Sequence, residues 1–197
     1  MQFKKLIKSI SETLNELARD FFFNVIASSI IMPKRIRTGI YNLGGMNIQT
    51  NLMGPRIFMG GNKITIGQNS YVNHNCFFDN MESIEIGRNC IIAMNVMFCT
   101  STHAINDEIN NFNNLLIDDD IKVGDTEGKR IVIEDNCWIG ARATILPGVR
   151  IEKNCIIAAG AVVTKDCASN GLYAGVPAKR VKDISINLKE RHVYAYH

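Results

Sequence analysis

Between Ile133 and Thr164 an aliphatic residue returns every sixth position: Ile133, Ile139, Ile145, Ile151, Ile157 and Val163. Four places after each stands a smaller one, namely Cys137, Ala143, Val149, Cys155, Ala161 and Cys167. A period of six matches neither the 3.6-residue repeat of an α-helix nor the alternation of one long strand. It fits a short strand that turns a corner every six residues, with the aliphatic residue and the small one two places before it facing inward. Three such sides close a turn of about 18 residues, and turns stack about 4.8 Å apart by strand pairing. The repeat therefore predicts an all-β solenoid.

The rhythm extends backward with interruptions. Ile66, Val72 and Phe78 form one clean set and Ile86, Ile92 and Phe98 another, each preceded by a two-residue slip. Small residues follow at Ser70, Cys76, Cys90, Val96 and Thr102, and Glu82 is a misfit at a slip. From Met46 to Lys63 the pattern blurs, as terminal repeats do. There Leu52 and Phe58 are expected to hold the aliphatic places, which puts Arg56 and Asn62 in places that want small residues.

Length and composition agree with one solenoid body carrying appendages. The 197 residues are 46% hydrophobic and 21% charged, enough to bury a sizeable core. A net charge of +3 is too small to argue for nucleic-acid binding. Five of the six cysteines (Cys76, Cys90, Cys137, Cys155 and Cys167) fall on small inward places. Buried reduced thiols are expected rather than disulfides, which points to a reducing cytoplasm. No CxxC or Cys/His spacing suggests zinc.

Residues 1–45 form a cap segment with another period. Phe3, Ile7, Ile10, Leu14, Leu17 and Phe21 are spaced four, three, four, three, four, which is one face of an amphipathic helix. The apolar run from Phe21 to Met32 is too short to span a bilayer and contains Asn24, and Pro33 is expected to end the helix. The helix is expected to pack on the solenoid, cap its open end or meet a partner subunit. The sharper alternative is peripheral contact with a membrane, aided by Lys34, Arg35 and Arg37. The body is assigned to residues 46–184, with a repeat-free loop at 104–130 and a tail at 185–197 that is expected to be a short helix. A long loop that leaves a rigid coil and returns to it is a candidate functional element.

Solenoid folds do not fix function, so the local motifs matter. TSTHAI around His103, YVNHN around Asn73, NCWIG around Trp138, AGAVVTKD around Thr164 and AGVPAKRV near the end resemble the hexapeptide-repeat sugar O-acetyltransferases related to galactoside and maltose acetyltransferase. The resemblance covers roughly residues 46–184 and implies a left-handed parallel β-helix and a homotrimer. It also implies acetyl transfer from acetyl-CoA to a hydroxyl of a sugar or polysaccharide precursor, without a metal. His103 matches the general base of that family. A sugar hydroxyl is a poor nucleophile at neutral pH, and a histidine with an ordinary pKa of about 6.5 suits its deprotonation. Asn73 matches the active-site asparagine, with an amide free to bond the acceptor or steady charge on the reacting oxygen. Asp79 aligns with an acceptor-binding carboxylate, while His74 departs from the aromatic that relatives often carry.

For the cofactor, the resemblance implies contacts from Ala141 and Ala159 to the pantetheine arm, Thr164 near the adenine, and Lys179 and Lys182 at the phosphates. Trp138, the only tryptophan, is expected on an exposed corner as a wall of the substrate cleft or a subunit contact. Other readings are weaker. Cys99 lies four residues before His103 but matches no nucleophile in the family pattern. A zinc hydratase would need three converging histidines, whereas only His74 and His103 lie in the body. N-acetylation of an amino sugar is the enzymatic alternative, and a non-catalytic scaffold is the alternative of another class.

Overall fold

The computed structural model describes residues 2–103 and 126–185. Short parallel strands stack into three flat faces around a common core. Face one holds β1 (Asn47–Ile48), β3 (Ile64–Ile66), β6 (Ile84–Ile86), β11 (Ile131–Ile133) and β14 (Arg150–Ile151). Face two holds β4 (Tyr71–Val72), β7 (Ile91–Ile92), β12 (Trp138–Ile139), β15 (Ile156–Ile157) and β17 (Gly171–Ala174), closed by the antiparallel β18 (Lys179–Asp183). Face three holds β2 (Phe58–Met59), β5 (Phe77–Asp79), β8 (Met97–Cys99), β13 (Thr144–Ile145) and β16 (Val162–Val163). The repeat's β-solenoid is thus present, and it is the triangular coil of a left-handed β-helix that the resemblance implies.

In-register pairing builds the core. Ile66, Ile86, Ile133 and Ile151 form one inward column, and Val72, Ile92, Ile139 and Ile157 another. All are almost fully buried, and each such side chain contributes about 1.5–3 kcal/mol of transfer free energy. Surface ion pairs such as Arg88–Asp135 are screened by the surrounding water, so the aliphatic columns decide the fold. The five inward cysteines are buried free thiols. Burial pushes the Cys76 thiol up to about 11 and that of Cys167 up to about 12.

The corner between faces one and two repeats most strictly. Asn69, Asn89, Asn136, Asn154 and Asn170 all adopt left-handed backbone there, φ 56 to 61°. Their side-chain amides donate one to the next up the stack, at 3.4, 3.3, 3.2 and 2.9 Å. Asparagine tolerates this backbone and also supplies both a donor and an acceptor to its neighbours.

The first coil differs from expectation. Met53, Ile57 and Met59 are buried, whereas Leu52 and Phe58 are exposed, so the inward frame lies one residue later than the aliphatic pattern suggests. Pairing decides it: Met53 bridges to Val72 and Met59 to Phe78, both inward residues of the next coil. Arg56 and Asn62 are accordingly exposed rather than inward. At the later slip, Thr100 takes the buried place that the repeat assigns to Thr102.

The expected amphipathic N-terminal helix is present and continues without a break into a wider helical stretch, and a second helix follows it, so the region has three segments. They are α1 (Gln2–Asp20), a wider π-helical stretch (Phe21–Ala27) and α2 (Lys34–Leu43). Pro33 stands immediately before α2 instead of ending the preceding helix. Capping falls to the last two segments, through Phe23, Ala27 and Tyr41, which join the core. Two asparagines finish the open sheet edges. Asn24 accepts from Met59 N–H (2.8 Å) and donates to its carbonyl (3.2 Å). Asn42 does the same for Ile48, at 2.8 and 2.9 Å. Each amide imitates one residue of a missing strand, which protects an edge otherwise open to pairing.

Candidate functional site

The positions suggested by sequence separate onto two corners and a face. The corner between faces two and three carries Asn73, then Ala93, Gly140–Ala141 and Ala158–Ala159 on successive coils. Backbone bonds stack them: Asn73 N–H to the Ile92 carbonyl (2.9 Å), Ala93 to Ile139 (2.9 Å) and Gly140 to Ile157 (2.8 Å). Stacking is tight, since a Cβ on Gly140 would lie 2.5 Å from the Ala159 nitrogen. Asn73 and Ala159 are three coils apart, roughly 14 Å along the axis. Above them the hairpin of β17 and β18 pairs Lys179 with Ala174, so Lys179 stands over the same corner. Lys182 pairs with Leu172 at the other end of the hairpin.

Asn73 is less free than its place in the repeat implies. Its Oδ1 accepts from the His74 backbone N–H at 2.8 Å and lies 2.7 Å from His74 Nδ1. With Nδ1 as the donor, His74 is left with Nε2 as an acceptor, and Asn73 offers its Nδ2 donor. Sequence reasoning passed over Arg142. It occupies a left-handed place (φ 61°) filled by Asn75, Asn95 and Gly160 in neighbouring coils, and its side chain is exposed beside Ala141. The visible signal was a second arginine, after Arg56 of the first coil, in a column otherwise filled by asparagine and glycine.

The corner between faces three and one is irregular. Here β8 leads into β9 (Ser101–His103), which pairs antiparallel with β10 (Thr126–Gly128), His103 opposite Thr126. The pair brackets residues 104–125, which lie outside the described residues, and of His103 only the backbone is described. The root of this hairpin is held firmly. The Asp79 carboxylate accepts from the Ser101 hydroxyl and, at 3.4 Å, from its N–H. Thr100 Oγ1 donates to the Asp79 carbonyl (2.7 Å), and Lys129 N–H donates to the Thr100 carbonyl (2.8 Å). Asp79 is thus occupied as a latch on the strand that carries His103. Beside it, Cys99 has its thiol pKa raised by burial and then by the Asp79 charge, which opposes a nucleophilic thiolate. Thr164 is exposed on this corner, just past β16.

Trp138 lies in the middle of face two rather than on a corner, and is 50% exposed. Among the described residues no group of three or more His, Cys, Asp and Glu side chains is placed to hold a metal. One chain therefore gathers Asn73, Ala141, Ala159 and Lys179 on one corner. It puts Asp79, His103 and Thr164 on another, across the width of face three.

The model of the hexapeptide repeat of succinyl-transferase matches residues 63–97 and 130–165. A Schizosaccharomyces pombe protein classed among acetyltransferases is 32% identical over 92% of this chain and 80% of its own length. The galactoside O-acetyltransferase of Escherichia coli is 35% identical over 71% of this chain, which spans 63% of that enzyme. A galactoside acetyltransferase structure in complex with coenzyme A superposes with a TM-score of 0.68 at 28% identity, covering 93% of this chain and 86% of that one. Repeat, coil and relatives agree, and the chain belongs to the hexapeptide-repeat acetyltransferases.

Proposed function

We propose that the protein moves an acetyl group from acetyl-CoA to a hydroxyl of a sugar or polysaccharide precursor, with His103 as general base. The observation that carries this reading is the corner of small residues from Asn73 to Ala159 beneath Lys179. It offers a straight path for a pantetheine arm, with a cation at one end and an amide donor at the other. Arg142 and Lys179 would meet the phosphates, where charge-assisted contacts are needed. Lys182 and Thr164 lie further from this path.

In the reaction, His103 takes the proton of the acceptor hydroxyl as its oxygen attacks the thioester carbonyl. The tetrahedral oxyanion is steadied by Asn73 Nδ2. Collapse breaks the carbon–sulfur bond, and the departing thiolate of CoA takes the proton back from the imidazolium. The Asp79–Ser101 latch would fix the strand that carries His103.

Asn73 and His103 sit on different corners of one chain, so the reading places each site between two copies, in a homotrimer. Outward columns on faces two and three support this. Tyr71, Ile91 and Trp138 line one, and Phe58, Phe77 and Met97 the other, whereas face one presents Thr65, Glu85, Val132 and Arg150. Apolar outer faces flanking the donor corner suit subunit contact.

The test is release of CoA thiol from acetyl-CoA with a panel of sugars and amino sugars. Hydroxyl-dependent turnover should fall at least about a hundredfold in His103→Ala, the scale of general-base catalysis. Turnover only with free amines, little changed in His103→Ala, would replace this reading with N-acetylation. No acetyl-CoA binding would leave a scaffold.

A further inference from the structure

The N-terminal end presents apolar side chains that the chain does not cover. Along α1, Ile10, Leu14 and Leu17 are exposed, and Phe21 and Phe22 continue the stripe into the π-helical stretch. The turn that follows adds Ile30 and Ile31, which are 63% and 85% exposed. That turn is built, not slack. Arg37, only 2% exposed, donates to the carbonyls of Ala27 (2.7 Å), Ser29 (2.8 Å) and Met32 (3.0 Å). It also donates to the Met53 carbonyl of the first coil at 2.6 Å. The guanidinium thus turns the backbone of the turn inward and ties it to the solenoid, while the two isoleucines are held out toward solvent.

Charge accompanies the apolar surface. Residues 1–45 carry seven basic and three acidic side chains, against 22 and 19 in the whole chain, so the remainder is slightly acidic. Lys34 and Arg35 are exposed directly after the isoleucine turn. Lys4 and Lys5 also fall at the start of α1 in sequence, where the first turn has no acidic residue, while Lys8 pairs with Glu12 at 3.8 Å. Cations there oppose the helix macrodipole, an arrangement that an apposed anionic surface compensates.

Two occupants compete for this surface. A bundle of α1 helices from several copies would cover the stripe of four-three spacing, but it leaves Ile30 and Ile31 in water and the exposed Lys34 and Arg35 unanswered. A lipid surface answers all three features, since an amphipathic helix and an apolar turn flanked by cations lie together at a headgroup boundary. No helix among the described residues is long and apolar enough to cross a membrane.

We propose that α1 and the Ile30–Ile31 turn dock on an anionic bilayer and hold the β-helix at its surface. The inference does not depend on acetyl transfer. Its test is flotation of the full chain with vesicles of phosphatidylcholine alone or mixed with phosphatidylglycerol. Binding should appear with the mixed vesicles and weaken at high salt. It should fall at least about tenfold in a variant carrying Ile30→Ser, Ile31→Ser, Lys34→Ser and Arg35→Ser, with molar mass and acetyl-CoA binding unchanged. No flotation with either vesicle would overturn the proposal. So would a Leu14→Gln, Leu17→Gln variant that falls apart into single chains while vesicle binding is unaltered, because the stripe would then be a contact between copies.

Discussion

Two corners of the same coil use asparagine in opposite ways. Between faces one and two, five asparagines share one backbone conformation and bond amide to amide up the stack. Between faces three and one, Asn80 is buried with neither its oxygen nor its nitrogen bonded to protein, above the Gly60–Gly61 turn. A ladder satisfies itself only when every rung repeats the one below. The two-residue slip breaks that condition, since Ile66 pairs with Ile86 twenty residues on, while Ile133 pairs with Ile151 after eighteen. The irregular corner is also where the chain leaves the coil through β9 and β10. Regularity stabilises the first corner, and its absence opens the other to an insertion carrying His103.

The contrast can be broken by substitution. Asn136→Ala should cost about 2–3 kcal/mol in urea denaturation, combining the strain of left-handed alanine with two lost amide bonds. A loss under about 0.5 kcal/mol would mean that the ladder is ornament rather than support. Asn80→Ala should leave stability within about 1 kcal/mol of the parent or raise it, because removing an unsatisfied buried amide offsets the small cavity. If it proved as damaging as Asn136→Ala, the two corners would not differ as described.

A smaller effect sharpens the same comparison. Asp135 on the regular corner accepts from the Arg88 N–H (2.8 Å) and guanidinium (2.9 Å), which hold its carboxyl below the usual range. Its contribution is complete above an unfolded value of about 3.9 and is lost as pH falls through the lower folded value. Asp135→Asn should therefore flatten the acid limb of the stability curve below about pH 4 and leave the slope above it unchanged. An identical acid limb in parent and variant would remove Asp135 from the account.

The coil was legible because each inward position meets the same environment in every turn, so Ile133 to Val163 announce themselves. The first coil was misframed because Leu52 and Met53, like Phe58 and Met59, are both apolar, and only pairing with the next coil chooses between them. The second helix and the way it ties the first to the coil were invisible for a related reason. Asn24 and Arg37 act on Met59, Met53 and Ala27, partners that sequence spacing does not bring together. At the site, motifs pointed to Asn73 and His103 as a pair. Counting the sides of the coil would have placed them on different corners, but only a settled frame permits that count. The engagement of Asp79 with Ser101 and of Asn73 with His74 depends on side-chain geometry that no motif records.

The most direct test of a site divided between copies is complementation. Asn73→Ala and His103→Ala variants should each be nearly inactive alone. Co-expressed so that the chains of the proposed trimer mix at random, they should recover about a quarter of parental CoA release, because one site in four then joins an intact donor corner to an intact base. No recovery from assemblies shown by mass to contain both variants would contradict the account and place the whole site within a single chain.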